Sequence, residues 1–135
     1  MLKIFVMIFF VVTVLAGCSS STNQQDIPII PVDVQELTTA EAHDLWGANP
    51  EIKLIDVRSA NEFSNIHIPG STLLPAPSIE ESAAIVIPDK ETTIFVICQS
   101  GNRSRPAAKA LTELGYTNVY DVGGILSWPG ELVTD

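Results

Sequence analysis

Apolar residues come in short runs along this chain, and the polar residues between them carry helix starts and stops. "VDVQEL", residues 32–37, reads as a short strand. Thr38-Thr39-Ala40-Glu41 has the spacing of a capping box and opens a helix with Ala42, Leu45 and Trp46 on one face. Gly47, Asn49 and Pro50 end it. "KLIDV", residues 53–57, is a compact apolar strand ending near an acid. Ser59-Ala60-Asn61-Glu62 forms a second capping box and starts a short helix through Phe63. "IPGSTLLP" bends and leaves a strand at Thr72 to Leu74. "SIEESAAIV" is a third helix, with Glu80 and Glu81 in its first turn, where the helix dipole favours acids. "TTIFVIC", residues 92–98, is a continuous β-branched and aromatic run, which predicts a strand covered on both faces. A helix over residues 104–114 places Ala107, Ala108, Leu111 and Leu114 together. Arg105, Lys109 and Glu113 follow one another at i, i+4 on another face, and Gly115 stands where a helix C′ residue belongs. "NVYDV" is a last strand, and "GGILSWPGEL" leaves room for one helical turn.

Strands that alternate with helices predict an α/β layered fold with a mainly parallel sheet. In such sheets, sites lie outside the carboxyl ends of the strands, and Cys98 is at such an end. No internal repeat or low-complexity segment interrupts the pattern.

The first fifteen residues differ from this pattern. They hold one charge, Lys3, followed by an apolar stretch. A spanning helix needs about 20 apolar residues, so the segment reads as a secretory signal. "LAGC", ending at Cys18, resembles a bacterial lipobox, in which the cysteine becomes a lipidated N-terminus. The alternative is ordinary cleavage near Ala16 or Gly17, leaving Cys18 a free surface thiol. The polar, Pro-interrupted stretch 19–31 reads as a tether; its 13 residues at about 3.3 Å each reach roughly 40 Å. The expected organisation is a signal peptide at 1–17, a lipidated N-terminus and tether at 18–31, and one domain at 32–135.

Charge and cysteine count narrow the function. The 135-residue chain carries a formal charge of −9, or −10 once Lys3 is removed. That argues against nucleic acid and against electrostatic attraction to an anionic bilayer, so any anion site must be local. If Cys18 is acylated, Cys98 has no partner for a disulfide, and an odd cysteine in an exported protein is either inert or kept for chemistry. His43 and His67 do not sit at ligand spacing to a cysteine, so a metal is not expected. No cofactor is expected either.

The loop "CQSGNRS" suits chemistry. Between a strand and a helix, the amides of Gln99, Ser100, Gly101, Asn102, Arg103 and Ser104 can curl into a nest. The helix start adds unpaired N–H groups and a positive dipole end. Gly101 permits the tight turn, and Arg103 adds a forked cation. Such surroundings lower a thiol from its free pKa of about 8.5 and favour a thiolate.

This loop is similar to the active-site loop of the rhodanese (thiosulfate sulfurtransferase) family. "LIDVRSANEFSNIHIPGS", residues 54–71, resembles that family's upstream signature, and "GYTNVYDVGGILSWPG", residues 115–130, its closing segment. One departure is Ile66, where the family commonly has glycine. The resemblance implies a single-domain, rhodanese-like three-layer fold with a central parallel sheet flanked by helices. It implies that the Cys98 thiolate takes sulfur from a donor such as thiosulfate and passes it from a persulfide to cyanide or a thiol. The loop amides would hold the outer sulfur, and Arg103 the anionic donor. Related phosphatases use a longer Cys-x₅-Arg loop, and the shorter one here suits a single sulfur atom better than phosphate or arsenate. A persulfide carrier or partner-binding module with little turnover is the competing reading.

Other residues invite blander assignments. Asp56 and Arg58 read as a supporting pair at the strand ends, Glu62 as a helix N3 cap, and His67 as a hydrogen-bonded turn residue. Trp46 and Trp128 read as core or pocket wall, and Asp121 as structural. Arg105 could aid anion capture or pair with a neighbouring acid. The whole describes a lipid-anchored, monomeric sulfurtransferase of a bacterial cell envelope, facing the periplasm or outer membrane where there are two membranes. It would act on small-molecule donors and acceptors, with no nucleic-acid partner.

Overall fold

A computed structural model describes residues 33–135. The expected signal peptide, Cys18 and the tether lie outside the described residues, as does Val32 of the first expected strand. The order along the chain is β1 (Gln35–Glu36), α1 (Thr39–Ala48), β2 (Lys53–Asp56), α2 (Ala60–Asn65), β3 (Thr72–Leu73), α3 (Ile79–Val86), β4 (Thr93–Cys98), α4 (Ser104–Glu113) and β5 (Asn118–Gly124). Short 3₁₀ turns occupy Ala76–Ser78 and Ile125–Ser127. The strands form one five-stranded sheet in the order β1-β5-β4-β2-β3, with every pairing parallel.

β4 is the central strand, and residues 94–98 are all buried. Ile94, Val96 and Cys98 face one apolar cluster with Ile55, Val57 and the inner faces of α3 and α4. Phe95 and Ile97 face a second cluster with Ala42, Leu54, Ile68 and Trp128. Two buried faces explain why "TIFVIC" shows no polar alternation.

Local signals set the element ends. Thr38 with Glu41, and Ser59 with Glu62, form the two expected capping boxes. α4 ends in a Schellman arrangement: Gly115 N–H donates to the Thr112 carbonyl at 3.0 Å, and Tyr116 N–H to the Leu111 carbonyl at 3.2 Å. Gly115 has φ +96°, a conformation that costs a residue with a Cβ. Tyr116 then enters the core, where its hydroxyl donates to the Ile87 carbonyl at 2.7 Å. Among the described residues, no buried side-chain nitrogen or oxygen lacks a partner.

Two side chains depart from their expected faces. Leu45 is 49% exposed, because α1 meets the sheet along a narrow seam of Ala42 and Trp46, with Trp46 edge-on to Trp128 at 6.1 Å. Leu114 is partly exposed because it is the C-cap: its N–H still donates to the Ala110 carbonyl at 3.0 Å, but the chain turns away at Gly115. β5 also runs beyond the expected "NVYDV". A register shift at Val96/Ile97 brings Ile97 opposite Gly123 and Cys98 opposite Gly124. Finally, the last residues strap onto the α2 turn. His67 and Val133 exchange backbone hydrogen bonds at 2.8 Å each, and Asp135 N–H donates to the Ser64 carbonyl at 3.1 Å.

Gly115→Ala should lower the free energy of unfolding by about 1 kcal/mol through the left-handed strain it imposes. A urea titration checks this: the midpoint falls while the slope stays constant.

Candidate active site

Because all five strands are parallel, the loops after β2, β4 and β5 gather at one edge of the sheet. The β2 loop is fixed by a buried ion pair. Arg58 donates through Nε to both Asp56 oxygens at 3.0 and 3.1 Å, and through one terminal nitrogen to Asp56 Oδ2 at 2.7 Å and the Ile66 carbonyl at 2.7 Å. The Arg58 N–H closes a turn onto Asp56 Oδ1 at 3.0 Å. Breaking such a buried pair would strand a charge, so both residues act as struts. The structure thus places Asp56 and Arg58, the pair expected to support the strand ends, together at the end of β2.

Cys98 ends β4 with 0% of its surface exposed. Gly101, at φ +99°, turns the chain back so that its N–H donates to the Cys98 sulfur at 3.0 Å. Burial pushes the thiol pKa up. Against that, the Ser104 hydroxyl and the amides of Arg103, Ser104 and Gly101 favour the thiolate, and the net result is a lowered pKa. The Ser104 hydroxyl also reaches the Gly101 carbonyl at 3.1 Å. Its single proton serves one acceptor at a time, and a charged thiolate is the stronger one. Gly101, Arg103 and Ser104 thus form the inner cradle, while Gln99, Ser100 and Asn102 form its exposed rim.

The cradle rests on bare backbone. A Cβ on Gly124 would come within 2.7 Å of Ser100 Cα and 2.8 Å of the Gln99 carbonyl carbon. Leu126 N–H adds a bond to the Gln99 carbonyl at 3.3 Å. The close approach follows from the register shift that sets Gly124 opposite Cys98. Reading the sequence alone, nothing in the spacing links residue 124 to the loop.

Arg103 points to a partner that spacing does not reveal. Its two terminal nitrogens donate to the two oxygens of Glu62 at 2.8 and 2.7 Å. The same carboxylate caps α2, accepting from Ser59 N–H at 3.1 Å and Ser59 hydroxyl at 2.9 Å. These bonds, Arg103 first, hold the Glu62 pKa down at about 2. The pair therefore stays charged at any working pH. Its contribution to stability is full above the ordinary carboxylate range and is lost as pH falls toward 2. A shallow cavity of about 210 Å³ with Glu62, Gln99, Ile66 and Leu126 in its wall lies beside the loop. Another of about 210 Å³ has Asn102, Arg103 and Pro106 in its wall.

The remaining candidates sit apart from the sulfur. Arg105 pairs with Glu36, and with Asp33 at 3.5 Å, on the surface. His67 is buried, with Nδ1 2.9 Å from the Phe63 carbonyl and its ring stacked on Phe63, so it serves the turn. Asp121 accepts from Gly123 N–H at 3.0 Å. Trp46 and Trp128 wall a cavity of about 200 Å³ with His43, away from Cys98.

Ser104→Ala should raise the Cys98 pKa. The rate of alkylation by iodoacetamide, followed against pH, then reaches half its plateau at higher pH than in the wild type. An unchanged midpoint would deny the hydroxyl any share in stabilising the thiolate.

The Rhodanese-like domain family matches residues 38–131. Thiosulfate sulfurtransferase PspE of Escherichia coli is 37% identical over 71 residues, covering 53% of this chain and 68% of its own. Adenylyltransferase and sulfurtransferase uba4 of Ogataea parapolymorpha is 39% identical over 80 residues, 58% of this chain, but the match spans only 20% of that longer protein. A solved rhodanese with anions from E. coli superimposes with a TM-score of 0.59 at 32% identity, over 62% of this chain and 99% of its own. The chain belongs to the Rhodanese-like domain family.

Proposed function

We propose that this chain is a membrane-tethered sulfurtransferase that carries a sulfane sulfur as a Cys98 persulfide from a donor such as thiosulfate to cyanide or a thiol. The observation that carries the reading is the Cys98 sulfur at the carboxyl end of the central strand, accepting the Gly101 N–H at 3.0 Å with its pKa lowered by the loop amides and Ser104. Family membership and the thiosulfate activity in PspE's name support it.

The chemistry is two displacements. The Cys98 thiolate attacks the outer sulfur of the donor, a new S–S bond forms, and the bond to the leaving group breaks. An acceptor nucleophile then takes the outer sulfur and returns the thiolate. The loop N–H groups stabilise the negative sulfur in each state without having to reorganise. The Cys98 residue is fully buried beneath the loop. That enclosure favours one other reading, a carrier that holds persulfide with little turnover.

With thiosulfate and cyanide, the wild type should form thiocyanate, and Cys98→Ser should lower the rate by roughly a thousandfold or more. No thiocyanate from wild type, or an undiminished rate in the variant, overturns the proposal. A stable gain of one sulfur in the intact mass with negligible release supports the carrier instead.

Tethering rests on the "LAGC" motif at Cys18. Acyl chains on Cys18 would anchor an exported monomer to the cell envelope, each buried CH₂ adding about 0.8 kcal/mol. Labelled fatty acid should enter the wild type and be lost in Cys18→Ala; label that persists in the variant rules the anchor out.

A further inference from the structure

Every arginine of the chain is tied to an acid. Arg58 lies on Asp56 at 2.7 Å, Arg105 pairs with Asp33 and Glu36, and both arms of Arg103 are taken by Glu62. The described lysines do not replace them. Lys53 begins β2 at the far end of the sheet, Lys90 lies 4.0 Å from the Tyr116 ring centre, and Lys109 is 3.8 Å from Glu113. The Cys98 cradle is therefore a set of N–H groups and one hydroxyl, and the cation beside it is already balanced. The chain's overall charge of −9 adds no attraction.

This arrangement treats donors by charge. A bidentate arginine left free would take a dianion as readily as it takes a carboxylate. Held by Glu62, it leaves the second charge of a dianion unmatched, while amides alone can satisfy a monoanion. Glu62 is well placed to hold on, since Ser59 donates twice to Oε2, the oxygen that one arm of Arg103 also uses, and its pKa of about 2 keeps it ionised. The ion pair is 42% exposed at Arg103 and 30% at Glu62, so a donor approaching the rim meets both charges.

We propose that Glu62 sets the donor specificity of the Cys98 site: by holding Arg103 in a two-pronged ion pair, it selects monoanionic sulfane-sulfur donors over dianionic ones. This rests on the reading of Cys98 as a sulfur-accepting thiolate. Glu62 is a positioning residue, acting through Arg103.

Thiosulfate and methanethiosulfonate separate charge from shape. The second replaces one charged oxygen of the first with a methyl group. In both, the Cys98 thiolate attacks the outer sulfur and an S–S bond forms. The bond to the sulfonyl sulfur breaks, and its electron pair leaves as sulfite or methanesulfinate. No proton moves, and no other reactant is needed.

The experiment measures kcat/KM for sulfur loading of Cys98 by each donor, using the whole protein. The ratio between donors is divided by the ratio for N-acetylcysteine, which removes intrinsic reactivity. Wild type should prefer methanethiosulfonate on the order of tenfold, the size expected for one unmatched charge in partly exposed surroundings. Glu62→Gln keeps the side-chain shape and an oxygen for Ser59, but releases Arg103. It should move the ratio toward thiosulfate by about the same factor, mainly through a lower KM for thiosulfate. Wild type also supplies a test that needs no variant: the preference should shrink between low salt and about 1 M, where the Debye length is near 3 Å.

An unchanged ratio in folded Glu62→Gln, or a wild-type preference indifferent to salt, overturns the assignment while leaving sulfur transfer standing. Loading of N-acetylcysteine but of Cys98 by neither donor overturns the sulfur-transfer reading, and this assignment with it.

Discussion

A strand walled in on both faces has one way to present a reactive side chain, out of its carboxyl end. β4 is that strand. Apolar clusters on either side bury each of residues 94–98, so only the last of them can meet the polar loop. Everything at the site follows from that constraint. The parallel sheet sends the neighbouring loops to the same edge. The helix after β4 begins there with its amides unpaired, and the sulfur becomes their acceptor. Burial alone would make Cys98 an inert thiol; the amides and Ser104 reverse that.

The charges around the site are arranged to cancel rather than to accumulate. Asp56 and Arg58 neutralise one another in the interior, where an unpaired member would be expensive. Glu62 and Arg103 do so nearer the surface. Ion pairs with this much exposure contribute little stability, so their worth lies in where they hold a charge. Glu62 joins two jobs, capping α2 and occupying Arg103, and thereby links the loop after β2 to the loop after β4.

The sequence makes the local parts of this plain. Both capping boxes, the continuous β4 run, the Gly115 stop and the Cys98 loop each depend on residues within a few positions of one another, and each appears in the fold. Leu45 is not legible in this way, because helical periodicity gives a face but not its width, and the sheet uses only the Ala42–Trp46 seam. The Glu62–Arg103 pair spans 41 positions. Its one hint is topological: the helices after adjacent parallel strands start at the same edge, so an acid in the first turn of one can meet a cation before the other. Gly124 is hidden for a related reason. Its neighbour across the sheet is set by a register shift that no periodicity records.

The bare backbone beneath the loop divides the labour of the site. Position is set by Gly124 and by main-chain bonds, which do not depend on the identity of the rim side chains. Gln99, Ser100 and Asn102 project outward from a platform that they do not support. Substitution can therefore re-letter the rim without disturbing the amides that face the Cys98 sulfur.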